Sequence, residues 1–410
     1  MEHVYASIDI GSDTVKVVVC ELYQNHLNLL ASTSVPSKGI KKGLIVEPEL
    51  AKETIMRALK EAEAMLGVRI RKVIATIPSH FLDYKLIKGE CNVAGDLITG
   101  NDMINSYKDG IKKELSSTEE FVTVVPIDFK INGKTVIKDP KNFPGQTLIG
   151  RAMMVTSPKK NVYSVASIIE SIGVELADIS VGSIGDINCF KNKDLDSSIS
   201  GIINIGGDIT TISLYNKGIP VSTKIIGSGG KDIDKDISYM YRINIEDAKK
   251  IKENFALAHK KNANKNEIYE VKDIEGKNLK INQLEVSEIV MSRINEILNA
   301  AKNELGGLTN KQIQYIIVTG GISNMLDFEY CLNDIMMSAS KGNVKLVGLR
   351  NNKFSTAIGN IIYFLNTIKL KGMNYSMLSE DDMEKLSSPN KSVNNEGTVL
   401  GKVFSYFFGE

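Results

Sequence analysis

Two stretches of this chain repeat one design: a β-branched strand, a short turn of Gly, Ser, Asp and Thr, and a second β-branched strand. The first is residues 5–20, YASIDIGSDTVKVVVC, and the second is residues 201–215, GIINIGGDITTISLY. Each reads as a hairpin with a polar tip. In the first turn Gly11 lets backbone N–H groups approach an anion, Ser12 and Thr14 offer hydroxyls, and Lys16 adds positive charge just beyond. Asp9 ends the first strand, where a carboxylate suits a hydrated Mg²⁺. The second turn is Gly206-Gly207-Asp208 followed by Thr210-Thr211. One such hairpin could be ordinary. Two predict similar halves closing on one ligand from opposite sides. A third turn follows the run IIVTGGISN, residues 316–324, a buried strand ending in Gly320-Gly321 and Ile322. There a base or ribose can lie against bare backbone.

The 410 residues suffice for two to four domains. A net charge of +1 gives no electrostatic bias toward nucleic acid, and no nucleic-acid partner is expected. Cys20, Cys91, Cys189 and Cys331 are scattered, match no metal-ligand spacing, and are expected as reduced thiols. The first residues carry Glu2 and run straight into a strand, unlike a signal peptide, and no apolar run is long enough to cross a bilayer. A cytosolic chain is the expectation.

In order, residues 27–34 read as a third strand and 48–66 as a helix, with Pro48 in its first turn and Gly67 as its stop. Residues 73–77 read as a buried strand. The helix and strand that should follow appear only at 161–172 and 174–181. Between them lies an insert, 81–160, with strands at 84–91, 121–131 and 147–155 and a helix near 102–115. An insert of about 80 residues can form a small domain. Later come a strand at 221–226, the turn Gly227-Ser228-Gly229-Gly230 opening a helix at 231–241, a long helix at 286–303 and another at 355–368. The N-terminus of the helix at 231 can serve an anion or a ribose, or can be a plain helix start. Residues 371–396 are polar, contain Pro389, and read as a flexible linker.

The last stretch, residues 397–410, GTVLGKVFSYFFGE, turns apolar again. On a helical wheel Val399, Leu400, Val403, Phe404, Phe407 and Phe408 share one side, and Lys402, its single cation, takes the other. A helix of about 14 residues is roughly 20 Å long, too short to span a membrane. It suits a helix lying in the membrane interface. A helix that docks on the domain or on a partner is the alternative.

DIGSDTVK, NIGGDIT and VTGGISN, in that order, resemble the two phosphate motifs and the adenosine motif of the actin-like ATPase superfamily. An insert after the fourth strand, entered through PSHFLDYKLIKGE, residues 78–90, resembles the FtsA family of bacterial cell-division proteins. The resemblance covers essentially the whole chain. It implies an α/β fold of two actin-like, ribonuclease H-like halves around a nucleotide cleft, with an FtsA-type inserted subdomain. The implied divisions are 1–80 plus 161–200 (first core, 1A), 81–160 (1C), 201–227 plus 311–370 (second core, 2A), 228–310 (outer subdomain, 2B), 371–396 (linker) and 397–410 (amphipathic membrane-targeting helix). Residues 182–190 and 355–368 would connect the halves, with Gly359 letting helices cross closely.

The resemblance further implies ATP and Mg²⁺ as ligands. Gly11, Ser12, Asp13, Thr14 and Lys16 would hold phosphate from one side, and Gly206, Gly207, Asp208 and Thr210 from the other. Gly320, Gly321 and Ile322 would back the adenosine, joined by Gly229 and Gly230, and Asp9 would place the metal's water. Residues 245–252 resemble the superfamily's D-A-E-x-x-K stretch, whose lysine, here Lys252, lies near the adenosine, although Lys249 stands where Glu is usual. Asn204 stands where the superfamily usually has Asp, and an amide cannot act as a carboxylate. ATP binding with at most slow hydrolysis is therefore expected. The implied partners are the C-terminal peptide of FtsZ through 2B, further copies of the chain in a filament, other division proteins through 1C, and the cytoplasmic face of the cell membrane at the division site. A PilM-like pilus-assembly adaptor is the alternative, against which the tail argues. A small-molecule kinase would need a carboxylate base beside a substrate pocket, and the sequence offers no supported candidate.

Overall fold

The computed structural model describes residues 3–371 and 375–387. It contains two five-stranded sheets of one topology. The first runs Glu175–Val181, Lys72–Ile77, His3–Ile10, Thr14–Tyr23, His26–Pro36, and the second runs Ile219–Ile226, Thr210–Asn216, Ile199–Ile205, Tyr315–Gly320, Ala339–Lys341. In each, the first three strands in chain order form an antiparallel meander, and the next two add in parallel beside the first.

A parallel pairing at the centre requires cover on both faces. In strand His3–Ile10 the residues Val4, Tyr5, Ala6, Ser7 and Ile8 are all buried, whichever face they occupy. Helix Pro48–Leu66 packs on strands Thr14–Tyr23 and His26–Pro36. Its Ala51, Ile55, Ala58, Ala62 and Leu66 make the buried stripe, and Gly67, at φ 73°, ends it by donating its N–H to the Glu63 carbonyl. Each such buried Ile or Leu contributes roughly 1.5–3 kcal/mol, an upper figure because unfolded chains already bury part of that surface.

Helix Ser355–Lys371 belongs by sequence to the second core as drawn above, but its apolar residues Ile358, Ile361, Phe364 and Leu365 join the core of the first half. It crosses the short helix Gly182–Cys189 at two glycines. A Cβ on Gly359 would stand 1.7 Å from the Gly185 carbonyl oxygen, so the backbones touch there.

Between strands Lys72–Ile77 and Glu175–Val181, residues Asp83–Asn92, Thr147–Pro158, Glu119–Ile131 and Thr135–Ile137 pair in that order as a separate four-stranded sheet. Helix Gly100–Glu114 covers it, and Ile87, Met103, Tyr107, Phe129 and Leu148 form its own core. In the second half, helices Gly230–Tyr241, Ile245–Asn254 and Gln283–Gly307, with the hairpin Ile268–Lys272 and Asn278–Asn282, enclose Ile233, Ile237, Ile251, Val290 and Ile294.

Residues 375–387 correct the expectation of a flexible linker over 371–396. The Met377 N–H donates to the Val4 carbonyl at 2.9 Å, and the Tyr5 hydroxyl donates to the Tyr375 carbonyl at 2.7 Å. Met377 and Leu378 are buried, and Ser379 caps the helix Glu380–Ser387 by accepting the Asp382 N–H. Residues 397–410, with Val399, Leu400, Lys402, Val403, Phe404, Phe407 and Phe408, lie outside the described residues. Among the described residues no helix is long and apolar enough to cross a membrane, and none of the four cysteines forms a disulfide.

Candidate functional site

The two hairpins meet tip to tip. Both turns close by the same bond: the Gly11 N–H donates to the Thr14 carbonyl at 3.2 Å and the Gly206 N–H to the Ile209 carbonyl at 3.0 Å. Lysines of the second half reach across. Lys249 Nζ lies 2.7 Å from Asp13 Oδ1, and Lys231 Nζ donates to the Ser12 carbonyl at 2.8 Å. Loop 39–46 bridges both tips, because the Lys42 N–H donates to Asp208 at 2.8 Å and the Gly43 N–H to Ser12 Oγ at 2.7 Å.

Beside this junction lies a cavity of about 520 Å³. Lys16, Lys231, Lys249, Lys252 and Lys353 face it, against the carboxylates of Asp9, Asp13 and Glu253. Burial and then Lys16 push the Lys353 ammonium below its usual value. Burial works against the Asp13 carboxylate, yet Lys249, with Lys252 and Lys231, outweighs it and holds Asp13 below the ordinary range. A cavity with surplus positive charge and glycine backbone suits a polyanion. Gly321 leaves room beside its backbone: it lines the cavity, and nothing stands within 4 Å of the place a Cβ would take.

Asp9 is fitted to a hydrated cation. Its Oδ2 accepts from Lys16 Nζ at 2.8 Å across the hairpin, and both side chains are largely shielded. Among the described residues no group of three or more His, Cys, Asp or Glu could hold a metal by itself. Mg²⁺ characteristically takes one or two carboxylates, several waters and the phosphates of its ligand, a donor set that Asp9 and a bound polyphosphate supply together.

Of the residues expected at the site, the structure brings Asp9, Asp13, Thr14, Lys16, Gly206, Gly207, Gly230, Lys252, Gly320, Gly321 and Ile322 to the cavity. Others stand behind it, and their roles change. Gly11 and Ser12 shape the turn; the Gly11 carbonyl accepts from Ser37 Oγ at 2.5 Å. Asp13 does face the cavity, but its carboxylate, a poor phosphate ligand by charge, pairs with Lys249. Asp208 pairs with Lys231 at 3.0 Å. Thr210 is fully buried and its hydroxyl donates to the Ser228 carbonyl at 2.8 Å. The helix N-terminus at Gly229-Gly230 is not open to an anion. The Gly230 and Lys231 N–H groups donate to the Gly206 and Gly207 carbonyls at 2.8 and 2.9 Å, and Gly229 packs so close that a Cβ would lie 2.5 Å from the Gly207 oxygen.

Lys231, Glu253, Asn324, Asn351, Lys353 and Thr356 also line the cavity and were not anticipated. Of these, Lys231, directly after the Gly-Gly turn, and Asn324, the last residue of VTGGISN, carried a readable signal. Lys252 is positioned by a buried pair with Asp234 at 2.7 Å and by donating to the Gly230 carbonyl at 3.1 Å. Behind the cavity wall formed by Asn204 and Thr356 stands a group with no motif: Asp186, on the connecting helix Gly182–Cys189, accepting from Asn204, Ser355 and Thr356 at 2.7, 2.8 and 2.9 Å. Burial raises its carboxyl to about 6 despite those three bonds, and Asp9 adds repulsion.

A second cavity, about 630 Å³, opens on the far side of the second half between helices Gly230–Tyr241 and Gln283–Gly307. Its floor carries Tyr239, Met240 and Ile289; Asp236, Glu285, Glu288 and Glu296 surround them, with Arg293 paired to Asp236 and Glu296 and Lys260 to Glu288. Tyr239 is 84% and Met240 61% exposed, an apolar patch with an acidic rim.

The model of the family described as cell division protein FtsA matches residues 201–359. Cell division protein FtsA of Bacillus subtilis (strain 168) is 28% identical over 375 residues, covering 90% of this chain and 85% of that protein. FtsA of Enterococcus hirae is 27% identical over 372 residues, covering 88% and 83%. Among solved structures, one from the PilM–PilN type IV pilus biogenesis complex superposes with a TM-score of 0.59 at 13% identity, covering 90% of this chain and 98% of that one. MreB5 of Spiroplasma citri bound to ADP gives 0.52 at 15% identity, covering 90% and 97%. At such identities the structures speak for the shared fold alone.

Proposed function

We propose that this chain, which has the actin-like fold and is similar to cell division protein FtsA over most of its length, is a member of that family, binds ATP with Mg²⁺, assembles with copies of itself, and tethers FtsZ filaments to the cytoplasmic face of the membrane at the division site. The observation that carries this reading is the lysine-rich cavity between the two hairpin tips. Magnesium-bound ATP supplies a polyanion able to bridge both halves and a terminal phosphate open to hydrolysis. Thr14, Lys16 and the Gly206-Gly207 backbone would hold the phosphates, Asp9 the metal's water, and Gly320-Gly321 with Lys252 the nucleoside end. Lys16 and Asp9 are paired at 2.8 Å, within reach of both the phosphates and the metal's water. With Asn204 in place of a carboxylate, hydrolysis is slow.

The acid-rimmed apolar groove at Tyr239, Met240 and Ile289 supports capture of a short peptide that is apolar and basic, and we assign it to the FtsZ C-terminal segment. The separate sheet of residues 83–158 offers its own surface to other division proteins. The tail, residues 397–410, would bind the membrane weakly as one copy and strongly when copies are joined, through effective concentration.

Liposome co-sedimentation of the full chain and of a chain ending at Ser387, each with and without ATP, tests the tether. Binding that disappears on truncation and strengthens with ATP is the expected result. Equal sedimentation of the two chains would reject the membrane role of the tail.

A further inference from the structure

The cavity presents a carboxylate from one hairpin and an amide from the other. Asp9 and Asn204 hold equivalent places, each near the C-terminal end of the first strand of its hairpin. The second carboxylate is not missing from the region. It stands one layer back, as Asp186, on the helix that joins the halves.

Asp186 is an acceptor only, as long as it is ionised. It therefore dictates which way the Asn204 amide faces. The Nδ2 group donates to Asp186 Oδ2 at 2.7 Å and, at a longer 3.4 Å, to Thr356 Oγ1, whose own proton goes to Asp186. The carboxamide oxygen is turned the other way, over Gly320, where it would stand 2.7 Å from a Cβ on that residue. Both Gly320 and Asn204 line the cavity. The donors Ser355 and Thr356 fix Asp186 in turn, and Thr356 reaches the cavity itself. Without this lock Asn204 could turn either its oxygen or its NH₂ group inward. The two differ chemically. An amide NH₂ donates to a bare phosphate oxygen, whereas an amide oxygen repels phosphate and accepts from water, including the polarised water around a divalent cation.

We propose that Asp186 is a positioning residue that holds the Asn204 oxygen toward the cavity, and so makes the site select a metal-hydrated polyphosphate over a metal-free one. The proposal rests on the nucleotide reading given above. It concerns selectivity between two forms of one ligand, which that reading leaves open.

The test is equilibrium titration of the full chain with ATP, in excess Mg²⁺ and again in EDTA, and the quantity read is the ratio of the two affinities. Three chains are compared: the wild type, Asp186→Asn, and the exchange variant Asp186→Asn/Asn204→Asp. An amide at 186 can face Asn204 with either end, so the lock is lost while volume is kept. The ratio in Asp186→Asn should fall about tenfold, the scale of one hydrogen bond to a charged group. Much of that fall should come from tighter binding in EDTA. The exchange variant keeps a carboxylate–amide pair but presents the carboxylate to the cavity, so its ratio should equal or exceed that of the wild type.

A purely structural role would weaken both affinities together and leave the ratio alone. An unchanged ratio in Asp186→Asn, with the wild type binding normally, would overturn the proposal. Should Asp186→Asn fail to fold, an exchange variant that binds with a ratio well below wild type would overturn it equally. A wild-type chain that binds ATP under neither condition would overturn the nucleotide reading, and this proposal with it, and is recognised from the wild-type titration alone.

Discussion

Replacing Gly359 with Ala should open the joint between the two halves. Helices Ser355–Lys371 and Gly182–Cys189 cross there backbone to backbone. The new methyl would lie 1.7 Å from the Gly185 oxygen, 2.5 Å from its carbonyl carbon and 2.9 Å from the Cys189 nitrogen. Ordinary contact begins near 3.4 Å, so the helices must part by more than an ångström, against backbone that cannot rotate away as a side chain would. Overpacking of this kind costs about 1–3 kcal/mol, and the crossing sits at the centre of a larger buried interface. The helix itself favours Ala over Gly by about 1 kcal/mol, which offsets part of the penalty. Because the clash is with backbone, the upper figure applies, and the net expectation is a loss of up to about 2 kcal/mol. Gly306→Ala provides the control, since Gly306 lies within helix Gln283–Gly307 with nothing within 4 Å of the new Cβ. Urea denaturation with a fitted slope gives both numbers. Gly306→Ala should match or slightly exceed the wild type, whereas Gly359→Ala should show a lower midpoint. Equal midpoints for the two variants would refute the reasoning, because they differ only in the space around the added methyl.

Lys252→Met should leave Asp234 as a buried charge without its partner 2.7 Å away, a loss of about 3–5 kcal/mol; Lys252→Met/Asp234→Leu should recover most of it in the same denaturation assay. A chain ending at Lys371 should be less stable than one ending at Ser387 by a few kcal/mol, because it loses the buried Met377 and Leu378; equal midpoints would mean that the segment contributes nothing. Asp186 should make stability depend on pH in an identifiable direction. Its folded value, about 6, lies above the ordinary one. Its favourable contribution is therefore complete below about pH 3.9, the unfolded value, and disappears as pH rises through about 6. Across that window the wild type should lose about 3 kcal/mol relative to Asp186→Asn, measured as the difference between their denaturation free energies at each pH.

Much of the fold is legible where local signals agree. Helix Pro48–Leu66 has its proline start, its apolar stripe and its left-handed glycine stop in one place, and reading and structure coincide at both ends. Strand Thr147–Pro158 and helix Gly100–Glu114 differ from expectation only at their termini, where fraying and capping decide. The segment 375–387 was missed for a physical reason. Its composition is that of a linker, and its order comes from Met377 and Leu378 meeting strand His3–Ile10, a contact more than 350 residues away in sequence. The hairpin Ile268–Lys272 with Asn278–Asn282 was missed although residues 278–282 alternate polar and apolar; each strand is only five residues long, and of the ten side chains only Ile281 is fully buried.

The candidate site divides along the same line. Glycine turns announce themselves, so both tips and the Gly320-Gly321 turn were readable. Which polar side chain faces the ligand was not. Asp208, Thr210 and Ser12 carry suitable groups, but tertiary partners at Lys231, Ser228 and Gly43 already occupy them. Lys353 and Thr356 enter the cavity from a segment with no motif, and Asp186 becomes visible only once helix and strand are brought together.

The central claim, a nucleotide held between the two hairpin tips with its base against Gly321, is tested most directly by calorimetric titration of ATP and Mg²⁺ into the wild type and into Gly321→Leu. The space beside Gly321 is open, so the substitution should leave the denaturation midpoint in place while filling the position of the base. The account predicts saturable binding to the wild type and at least about tenfold weaker binding to the variant. Equal affinities for two equally stable chains would contradict it.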